Sequence, residues 1–139
     1  MNSYYSLKPG EKEKIIANIK NILADRSDIL FAYIHGSFLS APSFRDIDVA
    51  VFVEPSVYRQ RKDDIAYELE LGAGIILSYP IDLRTLNSAP FVFQNAVARS
   101  GRLLFCRDET ALAAMIEYSS QAMLDYLSLM KESYAALAA

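Results

Sequence analysis

Gly36-Ser37-Phe38-Leu39-Ser40-Ala41-Pro42-Ser43-Phe44-Arg45-Asp46-Ile47-Asp48 is the stretch on which the reading of this chain turns. Upstream of it, residues 29–35 (ILFAYIH) form a short apolar run with β-branched and aromatic side chains, the pattern of a buried strand. Downstream, residues 46–53 (DIDVAVFV) give the strongest strand signal in the chain. Strand side chains alternate between faces, so Asp46 and Asp48 share one face. Ile47, Val49, Val51 and Val53 take the other and point into a core. Two carboxylates side by side repel by roughly 4 kcal/mol at about 4 Å and an effective dielectric of about 20. Aspartate is also a poor strand former, so a compensating charge is expected. Mg²⁺ meets that need, because it prefers oxygen ligands and keeps positions open for water and phosphate oxygens.

Gly36-Ser37 closes the first strand. Glycine lets the backbone approach a phosphate closely, and the amides after it, with the Ser37 hydroxyl, suit a triphosphate. A Gly-Ser pair alone says little; following a strand, with Asp-x-Asp opening the next, it is specific. Residues 38–45 read as a short helical turn and a loop. Residues 75–83 (IILSYPIDL) read as a third strand, bent at Pro80, with Asp82 at its C-terminal end. If that strand neighbours 46–53, Asp82 joins the pair. Three carboxylates can hold two metal ions, and Asp82 can instead take a proton from an attacking hydroxyl. The sequence leaves both roles open.

Further out, the spacing predicts amphipathic helices over 9–25, with Pro9 in the first turn, and over 57–72, ending near Gly72 and Gly74. It predicts a helix over 90–100 starting at Pro90, a short strand over 102–106, and a long helix over 108–137 capped by Asp108. The order α, β, β, α, β, α, β, α implies a small mixed sheet flanked by helices, in the α/β (α+β) class. The last helix has an apolar arc wider than one face, which serves either core packing or a partner. Arg45 and Arg84 flank the acidic cluster, as phosphate clamps or as balancing charges. His35, the single histidine, bonds near the phosphate loop or packs at its strand end.

The 139 residues fit one domain, taken as 1–139, and 53% apolar with 22% charged residues is an ordinary globular balance. The net charge of −3 and pI of about 5.1 argue against a nucleic-acid surface and for a small ligand or protein partner. One cysteine, Cys106, excludes an intrachain disulfide and a cysteine-based zinc site, and suits the cytoplasm. Neither a signal peptide nor a membrane-spanning run is legible.

The Gly-Ser, spacer, Asp-x-Asp pattern resembles the DNA polymerase β-like nucleotidyltransferases. Within them the chain looks like the minimal nucleotidyltransferases, antitoxin partners of HEPN-domain toxins. The run from Asp82 (IDLRTLNSAPFVFQNAVARSGRLLF) is similar too, and the resemblance covers about residues 10–130. It implies the polymerase β-like fold, ATP as donor and a HEPN toxin as partner. It implies phosphate contacts from Gly36 and Ser37, Mg²⁺ on Asp46 and Asp48, and Asp82 as third carboxylate. The implied activity is transfer of AMP to a toxin tyrosine. Competing readings are an antitoxin that works by binding alone and an enzyme acting on a small molecule; homo-oligomerisation is left open. The eight-residue spacer between Ser37 and Asp46 is shorter than usual for the group and lacks its central glycine, which implies a tighter loop.

Overall fold

The computed structural model describes residues 4–138; the ends of the expected 1–139 span lie outside the described residues. The elements are β1 (Tyr5–Ser6), α1 (Glu11–Ala24), β2 (Ile29–His35), α2 (Ser37–Ser40), β3 (Ser43–Phe44) and β4 (Ile47–Val53). They continue with α3 (Pro55–Arg61), α4 (Asp63–Leu77), β5 (Ile81–Thr85), α5 (Phe91–Ser100), β6 (Arg102–Cys106) and α6 (Glu109–Ala138). The main sheet runs β5-β4-β2-β6 and is mixed: β4 and β5 are parallel, the other pairs antiparallel. A two-stranded ribbon, β1-β3, stands apart from it.

Alternation along β4 divides the core. Ile47, Val49, Val51 and Val53 are buried against Ile15, Ile19, Leu23, Ile65 and Leu69 of α1 and α4. Ala50, with Phe31 and Tyr33 of β2, packs instead against Val97 of α5 and Met115 of α6. Each fully buried Val, Leu or Ile contributes about 1.5–3 kcal/mol, which pins the register. Asp48 lies on the α5 side and is thereby held at a fixed height in the sheet. In the ladder it stands opposite His35 on β2 and Asp82 on β5.

Several expectations need correction. The helix expected over 57–72 is two helices that break at Lys62, where φ is 43°. The second runs through both Gly72 and Gly74 to Leu77, so the strand expected over 75–83 is only Ile81–Thr85. Buried Ile65, Leu69 and Ala73 continue the helical spacing across the glycines, while the strand-like Ile75 and Ile76 stay 79% and 66% exposed. Asp82 consequently sits near the start of its strand, not its end. The bend falls at Ser78–Tyr79 rather than at Pro80, whose carbonyl accepts the Ile47 N–H at 2.9 Å. Pro9 lies outside α1, whose N-cap is Gly10.

Asp108 caps α6 as expected, accepting the Ala111 N–H at 3.0 Å. Asp108→Ala should cost about 1 kcal/mol, measured by denaturant unfolding. Met115 and Ser119 are the buried residues of α6 among those described. Beyond them Leu124, Leu127, Leu129 and Tyr134 are exposed, so core packing accounts for only the first half of this helix. Among the described residues no helix is long and apolar enough to cross a membrane.

Candidate active site

β4 begins where three side chains meet. One carboxylate oxygen from each of Asp46, Asp48 and Asp82 lies within 4.8 Å of the others. Asp48 stands in β4 and Asp46 in the bend just before it, one residue outside the strand expected over 46–53, and the parallel register with β5 delivers Asp82. All three are half-buried. Burial, then the charges of Asp46 and Asp82, push Asp48 up from 3.8 to about 6, and Arg84 partly offsets this. The donor set is three hard oxygen ligands with uncompensated like charge, which fits a divalent cation such as Mg²⁺.

The sign of the pH effect follows. Between 3.8 and about 6 the folded chain keeps a proton on Asp48 that the unfolded chain has lost. Metal-free stability therefore falls as pH rises through that window, and the full cost is present above about 6. A bound cation must displace the proton, so Mg²⁺ should raise the melting temperature more at about pH 7.5 than at about pH 5. Equal rises at both would remove Asp48 from the ligand set.

Gly36 and Ser37 stand beside this cluster. Gly36 has φ 80° and ψ −161°, a conformation essentially reserved for glycine. A Cβ there would overlap the Asp48 Oδ2, so the turn passes directly over the carboxylate. Ser37 is exposed and opens α2, the short helical turn expected from the sequence. Its amide lies in the first turn, where helical N–H groups have no partner within the helix. The short spacer is anchored by Phe44, buried edge-on against Phe38 at 4.8 Å, and by the β1-β3 pairing.

Of the two flanking arginines, Arg84 belongs to the site. Its Nε lies 3.7 Å from Asp82 Oδ1, and its guanidinium is 5.7 Å from the centre of the Phe93 ring. Arg45 instead turns towards the Tyr4 ring at 6.0 Å. His35 is packed: its ring meets Phe93 edge-on at 5.6 Å, and burial lowers its pKa, against the opposing charge of Asp82. Its Nε2 is buried with no protein partner. Sequence reasoning missed Phe93, which organises both His35 and Arg84. It also missed a cleft of about 410 Å³ beside Arg84, lined by Tyr58, Leu83, Thr85, Ser88 and Phe93 among others. Those residues come from separate elements and share no spacing signal.

Residues 17–110 match the family model described as polymerase beta, nucleotidyltransferase. The chain belongs to this family. Membership implies a nucleoside triphosphate and a divalent metal. Solved structures agree in fold. One is a complex from Shewanella oneidensis of a tri-AMPylated HEPN toxin with an MNT antitoxin, matched at 21% identity and TM-score 0.64, over 90% of this chain and 96% of that one. Another is a toxin–antitoxin structure with AMP-PNP, at 22% identity and TM-score 0.65, over 87% of this chain and 95% of that one. A third, a MntA–HepT toxin–antitoxin structure, has 21% identity and TM-score 0.63, over 89% and 96%. No curated protein matches this nucleotidyltransferase by sequence.

Proposed function

We propose that this nucleotidyltransferase moves AMP from ATP onto a tyrosine hydroxyl of a HEPN-domain toxin, and so acts as a cytoplasmic antitoxin. The observation that carries the proposal is the meeting of Asp46, Asp48 and Asp82 directly beneath the Gly36-Ser37 turn. The solved structures of similar fold support it, since they hold a HEPN toxin bearing AMP groups and an ATP analogue.

In this reading Asp46 and Asp48 would hold Mg²⁺, with Asp82 beside them as third carboxylate, and the bound cation would offset charge on the phosphate. Gly36 lets the backbone approach the triphosphate, and the Ser37 amide and hydroxyl donate to it. The acceptor oxygen bonds to the α-phosphorus, the α–β anhydride bond breaks, and pyrophosphate leaves. The hydroxyl proton passes to Asp82. Arg84, exposed and weakly held by Asp82, offers positive charge to a phosphate oxygen. Catalysis is then positioning and charge compensation.

The exposed apolar residues on the second half of α6 favour a stable complex with the partner, which binding alone would also use. Position-labelled ATP separates the two. With Mg²⁺ and a HEPN-domain protein as acceptor, label at the α-phosphate should appear on the partner and label at the γ-phosphate should leave with pyrophosphate. A complex that neutralises the toxin without taking up α-label would establish binding alone; γ-label on the partner would mean phosphoryl transfer instead.

A further inference from the structure

The sheet order gives the site a direction. Gly36 and Ser37 follow β2, Asp48 stands on β4, and Asp82 and Arg84 stand on β5, so donor turn and third carboxylate lie on opposite sides of β4. Displacement at phosphorus places attacking and leaving oxygens roughly in line. With the triphosphate at Gly36-Ser37, the attacking hydroxyl comes from the β5 side.

On that side β5 is the edge of the sheet, pairing with β4 alone among the described residues. The Leu86 N–H bonds inward to the Val51 carbonyl at 2.7 Å, and the Leu83 N–H is taken by Glu70 at 3.2 Å on the outer edge. Alternation then turns the Thr85 N–H and C=O towards the outer edge, and Thr85 is among the residues that line the cleft of about 410 Å³. The cleft is held in shape from behind. The Asn87 side chain accepts the Val53 N–H at 2.9 Å and donates to the Val53 carbonyl at 2.7 Å, and Gln94 donates to the Leu86 carbonyl at 2.8 Å. Phe93 supplies an aromatic wall, and Tyr58 and Ser88 are hydrogen-bonded to each other at the rim.

We propose that this cleft is the acceptor subsite, which takes an extended tyrosine-bearing segment of the partner protein. The segment adds its backbone to the Thr85 edge of β5, as peptides add to exposed sheet edges elsewhere. Its ring packs against Phe93, and its hydroxyl reaches the Asp82–Arg84 pair. The proposal rests on the transfer reading above, but it names residues that reading does not use.

Ser88 is exposed and lies outside the catalytic cluster, so Ser88→Trp blocks the cleft from its rim while Ser88→Ala leaves it open. Transfer to a HEPN-domain protein is measured with each, varying ATP and acceptor separately, with melting curves as the folding control. Ser88→Trp should lower kcat/KM for the acceptor at least about tenfold and leave KM for ATP within about twofold. Ser88→Ala, which loses the bond to Tyr58 but leaves the cleft open, should fall well short of that loss. A raised KM for ATP with an unchanged acceptor KM would overturn the proposal and give the cleft to the nucleoside. An unchanged acceptor KM in Ser88→Trp, with transfer intact, would overturn it outright. Absence of transfer by the unsubstituted chain would instead defeat the transfer reading, and the acceptor subsite with it.

Discussion

Asp48→Asn should melt at a higher temperature than the unsubstituted chain in the absence of metal, yet transfer nucleotide about a thousandfold more slowly. Both effects have one cause. Asp48 is half-buried beside two other carboxylates, and its pKa of about 6 shows that ionising it is unfavourable in the folded chain. An amide of the same shape removes that repulsion above about pH 6, where the cost is fully present. The same change removes a charged oxygen from the set that holds the cation. Stability and activity therefore move in opposite directions, which loss of folding cannot mimic. Melting curves and transfer rates on one preparation check both, and a lower melting temperature with activity retained would remove Asp48 from the site.

Gly36→Ala tests the turn above the cluster. The φ of 80° with ψ of −161° costs a residue with a Cβ about 1–3 kcal/mol. The added methyl also meets the Asp48 carboxylate and must displace it. A displacement of roughly 1 Å at a reacting centre is worth about a hundredfold in rate, so kcat should fall by about that factor. Denaturant unfolding and steady-state kinetics measure the two losses. Asp48→Asn combined with Gly36→Ala should lose less than the separate losses add up to, because both act on one carboxylate.

The site was more legible in the sequence than the elements around it. Asp-x-Asp at the start of a strand, after Gly-Ser at the end of another, carries its own signal: the spacing keeps the two carboxylates close and the turn sets the approach. Asp82 needed one further condition, adjacency of the strands at 46–53 and 81–85, which the structure meets by placing it opposite Asp48. The mistakes fell where local propensity and tertiary packing disagree. Gly72 and Gly74 read as a helix end, and Ile75-Ile76 as a strand, because glycine and β-branched residues are weak helix formers. Burial of Ile65, Leu69 and Ala73 against the sheet outweighed that preference and carried α4 on to Leu77.

Other features had no local signal at all. Phe93 gathers His35 and Arg84 from the far side of the site because α5 lies over the sheet face that bears the carboxylates. The Thr85 edge and the cleft exist only because β5 is outermost, and strand order is a long-range property. The long helix showed its excess of apolar residues in the sequence, but only the structure separates Met115, which packs, from Leu124, Leu127 and Tyr134, which stay exposed.

The most direct measurement is the intact mass of the proposed HEPN partner after incubation with this chain, ATP and Mg²⁺, run in parallel with Asp46→Asn. A gain of AMP-sized increments with the unsubstituted chain, lost with Asp46→Asn, is the expected result. An unchanged partner mass in a stable complex, or an equal gain with Asp46→Asn, would contradict a catalytic role for the three carboxylates.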